Sequence, residues 1–256
     1  YLQLFFELCD QPWEAVEEAQ AQLIDEFDAA KELRIQNDDG TDLVLDIEGQ
    51  TFANSVIKKN VPGSEIFSSP KREGVNGTWV ANGKFLADGH EEPIENMRFR
   101  FENGKVVEAH AEKNNEALQE VLGRDEGARY CGEIGIGTNP WLKQHVMNGL
   151  LVEKVGGTFH LALGACYNYE TYDGKPVNVK NGNKSGIHWD ITTMLKGRGG
   201  KMYLDGKLIQ EDGLFLAPQY RVFNEGWAAL PAKEQPGHWQ KRLAEKAAEQ
   251  TAQKLR

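Results

Sequence analysis

The chain has 256 residues, 39 of them acidic and 29 basic, for a formal net charge of −10 with its six histidines neutral. That length buries a full core as one large domain or two small ones, and the acidic balance excludes a nonspecific nucleic-acid binder, which needs a basic face to displace counterions from phosphates. Cys9, Cys131 and Cys166 are odd in number and widely spaced, which excludes a disulfide framework and a zinc ribbon, and no apolar run approaches the roughly twenty residues of a membrane span.

Residues 11–35, PWEAVEEAQAQLIDEFDAAKELRI within them, carry apolar positions at helical spacing and predict one amphipathic helix. The cluster Asn37-Asp38-Asp39-Gly40 breaks it. From Asp42 to Val107, short alternating segments such as DLVLDI, GTWVANGKFL and ENMRFRFENGKVVEA predict strands, with the clearest hairpin turn at Glu102-Asn103-Gly104. A helix is expected over 114–122 and another over 141–148. Strands return from Gly156 to Leu216, with a second hairpin at Asp205-Gly206. Beyond Pro231 the sequence is rich in Ala, Glu, Lys and Gln, which predicts a surface helix or tail. The organisation is a helical lead-in over 1–39, a strand-rich body over 40–230 and a terminal helix or tail over 231–256. The expected class is α+β, a mixed sheet with flanking helices.

Three stations in the body carry chemistry. In NVPGSEIF, Pro62 and Gly63 make a bend that delivers Glu65 between apolar neighbours, and such fixing spares a ligand its side-chain entropy. A plain surface Glu in a Pro-Gly turn is the alternative there. In GEIGIGTN, Glu133 lies among Gly132, Gly135 and Gly137, so no bulky neighbour crowds its carboxylate, which suits a bridging ligand. Its glycine spacing does not fit a nucleotide loop. The third station runs from EKVGGTFHLALGACY, with Glu153, His160 and Tyr167, to SGIHWDI, where His188 and Asp190 stand two apart on a predicted strand and face one side. A lone His160 would read as a satisfied core residue. With His188 and Asp190 beside it, imidazole nitrogen and carboxylate oxygen meet in the numbers that two divalent ions of zinc, cobalt or manganese require. His90, His110, His145 and His238 stand in polar or helix-flanking sequence and read as surface residues.

Taken in order, NVPGSEIF, GEIGIGTN, GGTFHLALGACY and SGIHWDI resemble the aminopeptidase T family of metallo-aminopeptidases, which includes the aminopeptidases S. The resemblance covers about Gly40 to Leu216, and GTDLVLDI ahead of the first motif is also similar. It implies metal ligation by Glu65, Glu133, His160, His188 and Asp190, with Glu133 as bridge. Tyr167 matches the active-site tyrosine of that family, Glu153 is implied as a ligand or general base, and either Glu133 or Glu153 is expected to carry the proton to the leaving amine. Members typically carry an amino-terminal α/β domain that this sequence lacks. The sequence also opens on Tyr1 rather than methionine, so a fragment, processed form or isolated catalytic portion is expected.

The expectation is a cytoplasmic aminopeptidase that uses two divalent metal ions to activate a water against peptides with a free amino terminus. Neither a nucleic acid nor a membrane is among its expected partners, and the resemblance implies a homodimer. A catalytically silent binding module of the same fold and a metal-dependent amidase or esterase are the alternatives.

Overall fold

The computed structural model describes residues 2–142, 145–237, 244, 245 and 248. In chain order the elements are α1 (Leu2–Cys9), α2 (Trp13–Ala29), β1 (Glu32–Gln36), β2 (Asp42–Asp46), β3 (Ala53–Ser55), β4 (Glu65–Ser68), β5 (Val75–Phe85), β6 (Ile94–Glu102) and β7 (Lys105–Lys113). There follow α3 (Asn115–Leu122), β8 (Cys131–Gly137), α4 (Gly149–Val152), β9 (Thr158–Gly164), β10 (Tyr169–Tyr172), β11 (Lys175–Val179), β12 (His188–Met194), β13 (Lys201–Leu204), β14 (Lys207–Glu211), β15 (Leu214–Phe215) and α5 (Arg221–Glu225).

Two sheets form the body, an eight-stranded one ordered β15-β14-β13-β1-β2-β5-β6-β7 and a five-stranded one ordered β12-β9-β8-β4-β3, and β10 pairs with β11 apart from both. The α+β class holds, and the named pairs are antiparallel. Both expected hairpins form. Asn103 and Gly104, and likewise Asp205 and Gly206, take positive φ, the twist a two-residue turn needs between antiparallel strands. The helix expected over 114–122 is α3.

The long first helix is shorter than its composition suggests. It ends at Ala29, and residues 32–36 pair as β1 with β2 and β13. Leu33 and Ile35 are buried while Glu32 and Arg34 are exposed, a period of two that tertiary pairing converts into a strand. The helix expected over 141–148 is also absent among its described residues; one turn, α4, follows it, capped by the Asn148 side chain, which accepts from Leu151 N at 3.0 Å. The terminal helix or tail lies mostly outside the described residues. Among the described residues no helix is long and apolar enough to cross a membrane.

One core joins the layers. Val16, Leu23 and Phe27 of α2 pack with Leu33 and Leu43 of the large sheet and with Ile134, Ile136, Phe159 and Leu161 of the small one. Trp79 of β5 donates its indole N–H to Thr193 Oγ1 on β12 at 2.7 Å, tying the sheets together through a satisfied polar contact. This packing leaves the opposite face of the small sheet free for polar groups.

Candidate metal centre

The register of the five-stranded sheet places the predicted acids and histidines on one face. Glu65 pairs with Gly137, His160 with Gly135, and Asp190 and Glu133 both stand opposite Ala162. Partners in register share a face, as do residues two apart, so Glu65, Glu133, His160, His188 and Asp190 all point the same way. A bulge between Cys131 and Glu133 breaks this alternation just ahead of the site. It turns Cys131 into the core beside Leu163 and Glu133 to the other face, although the two are separated by an even step.

The glycines of β8 make room above that face. A Cβ on Gly135 would sit 2.1 Å from His160 Cε1, so only glycine admits the imidazole at its position. At the entry to β4, a Cβ on Gly63 would overlap the Val56 carbonyl, so this close passage before Glu65 also requires glycine.

Two groups of donors result. His188 Nε2 lies 3.1 Å from Glu133 Oε2 and 3.6 Å from Asp190 Oδ1, and one ligand atom from each of these three residues falls within 4.8 Å of the others. The other ring nitrogen, Nδ1, is 2.7 Å from the Ala165 carbonyl, which only accepts; Nδ1 therefore carries a hydrogen, and Nε2 is the nitrogen offered to the site. In the second group, His160 Nε2 is 3.5 Å from Glu133 Oε1 and 3.9 Å from Glu65 Oε2.

Electrostatics show how strained this collection is without cations. Burial pushes the Glu65, Glu153 and Asp190 carboxyls up, and their acidic neighbours add to it. Burial alone would lower both histidines, but the carboxylates facing them outweigh it and raise each to about 9. Glu133, which burial would raise, is instead held at about 2 by the two imidazoles. Glu65 Oε2, both ring nitrogens of His160 and Asp190 Oδ1 are buried with no hydrogen-bond partner among the described residues. Orphaned nitrogen and carboxylate oxygens converging on one space fit a divalent cation of the zinc, cobalt or manganese type.

Glu153 stands just past α4 and enters the site from the side. Tyr167 follows β9, its ring centroid 5.1 Å from that of His188, stacked on Tyr169 at 5.0 Å and edge-on to Phe67. Burial raises the Tyr167 phenol, so it stays a neutral donor. A cavity of about 330 Å³ opens over the centre, lined by Glu65, Glu133, Glu153 and Tyr167, with Tyr169 and Tyr172 on its aromatic wall.

All seven predicted residues thus gather about one centre. Sequence reasoning missed Lys154, which is wholly buried and donates to Glu65 Oε1 at 2.6 Å and Glu153 Oε2 at 2.5 Å. Burial alone would lower its ammonium, but the two carboxylates outweigh this and keep it charged. A lysine beside a glutamate before two glycines reads as a surface pair. The available signal was the acid count, since so many buried carboxylates need an internal cation. His145 is not the surface residue expected: it is half-buried against Phe85, ring centroids 4.8 Å apart, and burial lowers its pKa. His110 is exposed and His90 half-buried; His238 lies outside the described residues.

Residues 9–214 match the family described as thermophilic metalloprotease (M29). The chain is 34% identical over 174 residues to aminopeptidase AmpS of Bacillus subtilis (strain 168), a match covering 66% of this chain and 40% of that protein. It is 32% identical over 166 residues to aminopeptidase T of Thermus thermophilus, covering 59% of this chain and 40% of that protein. The matches thus span about 40% of the length of these curated relatives. Among solved structures, wild-type AmpT from Thermus thermophilus superposes with a TM-score of 0.62 at 24% identity, covering 81% of this chain and 56% of that one. A 2,5-dihydroxypyridine dioxygenase from Pseudomonas putida KT2440 superposes with a TM-score of 0.66 at 17% identity, covering 85% of this chain and 63% of that one. Both likenesses concern the fold.

Proposed function

The chain belongs to the thermophilic metalloprotease family, M29, and from that premise we propose that its buried centre holds two divalent ions and removes amino-terminal residues from peptides. One observation carries the two-ion reading. Glu133 turns Oε1 toward His160 at 3.5 Å and Oε2 toward His188 at 3.1 Å, as a carboxylate shared between neighbouring ions would. Glu65, Glu133 and His160 would hold one ion, and Glu133, His188 and Asp190 would hold the other.

Charge supports the same count. With the imidazoles neutral, as ion binding would require, Glu65, Glu133, Glu153 and Asp190 face one internal ammonium among the described residues, Lys154, in a largely buried space. The excess negative charge is more than one divalent ion offsets, and buried charge left uncompensated is costly. Mixed nitrogen and oxygen donors suit zinc, cobalt and manganese alike.

Ions bound there supply Lewis acidity for the scissile carbonyl and a water deprotonated near neutral pH. The chain's own groups do the rest. Glu133 faces a histidine with each oxygen, so Glu153, one oxygen on Lys154 and its proton affinity raised by burial, carries the proton to the leaving amine. The Tyr167 phenol donates to the carbonyl oxygen as charge develops on it. Remaining carboxylate oxygens receive the substrate's free amino group, while the aromatic wall of Phe67, Tyr169 and Tyr172 keeps water out. Matched relatives named as aminopeptidases support that choice of substrate. The cysteines are unpaired, which fits the reducing cytoplasm where we place the chain.

The test is hydrolysis of free and acetylated amino-acid anilides by the chelator-stripped chain restored with zinc, cobalt or manganese. Metal-restored cleavage of only the free-amine series supports the reading. Equal cleavage of both series makes the chain an amidase, and ion binding without turnover makes it a silent relative. A chain that binds no ion overturns the metal centre itself.

A further inference from the structure

Lys154 sits where no solvent reaches it, and its backbone is fixed as firmly as its side chain. Its N–H donates to Leu151 O at 3.1 Å, and its carbonyl accepts from Asn139 N at 3.0 Å, just beyond the end of β8. Asn139 is itself wholly buried and donates its side-chain amide to Leu8 O. The ammonium is thus delivered from a rigid corner to the far side of two site carboxylates. It takes Oε1 of Glu65 and Oε2 of Glu153. The other oxygen of Glu65, Oε2, is buried, has no hydrogen-bond partner among the described residues and lies 3.9 Å from His160 Nε2.

We infer that Lys154 is a positioning residue which holds Glu65 and Glu153 to one free oxygen each, so that neither closes on an ion with both. The physical ground is competition for lone pairs. A carboxylate near a divalent cation can bind through one oxygen or two, and two-oxygen binding fills coordination positions that a substrate amine or carbonyl needs. An ammonium hydrogen-bonded to the outer oxygen at 2.6 Å makes that closure cost a charge-assisted hydrogen bond. Lys154 opposes that closure from behind, and its single charge offsets the repulsion between the two acids. This inference rests on the two-ion reading above.

The primary test compares X-ray absorption fine structure of the cobalt-loaded wild-type chain with that of cobalt-loaded Lys154→Met. The variant gains the short metal–carbon distance that only a two-oxygen carboxylate produces, and its kcat falls on the order of tenfold or more while KM stays within about twofold. Superposable spectra from a folded, cobalt-loaded variant overturn the inference, as does a two-oxygen Glu65 or Glu153 in a crystal structure of the loaded wild type. Removing the ammonium leaves buried carboxylates uncompensated, so a measurement on the wild type alone stands beside the first. In the chain labelled with 15N-lysine, a solvent-protected ammonium resonance persists through two equivalents of zinc. Its loss into rapid exchange on zinc binding means that ions displace Lys154 and overturns the inference. A wild-type chain that binds no zinc or cobalt fails earlier, at the metal centre, and is distinguished by its metal content.

Discussion

The eight-stranded sheet keeps most of its ionic groups in water, whereas the five-stranded sheet buries Glu65, Glu133 and His160. On the large sheet Arg34 meets Asp42 at 2.9 Å with side chains 45% and 50% exposed, and Arg100 meets Glu108 in similar exposure. Such pairs contribute about 0–1 kcal/mol each. On the small sheet β8 and β9 are buried along their whole length, with Glu133 and His160 among their residues. Nothing in packing explains a glutamate in a fully buried strand, because an isolated ion there costs several kcal/mol. The contrast separates charge that merely solubilises from charge kept at a cost, and the second kind marks function.

The sharpest way to break this contrast is to remove one carboxylate from each region. Glu133→Gln keeps the shape and deletes the charge that faces both histidines, so turnover of a free-amine anilide is expected to fall by about 10²–10⁴-fold or more, with metal content reduced. Glu108→Gln, on the exposed edge strand β7, is expected to leave the rate within assay error. Comparable losses from both would mean that burial does not distinguish the two sheets.

Metal removal extends the comparison to stability. Ions that bind only the folded chain stabilise it by mass action, about 4 kcal/mol at a thousandfold excess over Kd. Chelation is therefore expected to lower the urea midpoint of the wild-type chain clearly and that of Glu133→Gln much less. Arg34→Ala, on the large sheet, is expected to shift stability by less than about 1 kcal/mol and to remain chelator-sensitive. A wild-type midpoint indifferent to chelator would show that the buried charges are held by the protein alone.

Glycines sharpen the contrast at smaller scale. A methyl on Gly135 collides with the His160 ring, which must shift from its place facing Glu133 and Glu65 to make room. Gly135→Ala is expected to cost about 1–3 kcal/mol and to weaken metal binding in calorimetry. Gly206 lies in open space at positive φ in a hairpin. Gly206→Ala is expected to cost about 1 kcal/mol through the backbone alone and to leave metal affinity unchanged.

Where the sequence could be read, the signal was local. Asn103-Gly104 and Asp205-Gly206 announce their hairpins through φ preference, and His188 and Asp190 share a face because strand geometry alternates. Long-range facts were less legible. Residues 32–36 look helical beside α2, and pairing with β2 and with β13, far along the chain, makes them a strand. The bulge that turns Glu133 away from Cys131 and the burial of Lys154 likewise depend on partners distant in sequence. The resemblance supplied the ligand set, while the geometry supplied the reason that β8 is glycine-rich and the cation the acids require.

Asp28 offers the finest test, because it is a partly buried acid away from the site, at the end of α2, with Asp25 as its charged neighbour. Burial is the main cause that lifts its carboxyl from 3.8 to about 6, with Asp25 adding to the shift and the Phe52 N–H, donating at 2.7 Å, opposing it. The folded chain therefore binds a proton there that the unfolded chain has already released, so stability declines as pH rises between about 4 and 6 and the ionised group remains a cost above that window. Asparagine keeps an oxygen for the Phe52 N–H and removes the charge. After discount for the solvent that reaches this half-exposed group, Asp28→Asn is expected to stabilise the chain by about 1 kcal/mol in urea at pH 7.5 and by almost nothing at pH 4. An equal gain at both pH values would assign the effect to packing. A gain confined to high pH would show that burial penalises a carboxylate here as it does at Glu65 and Asp190.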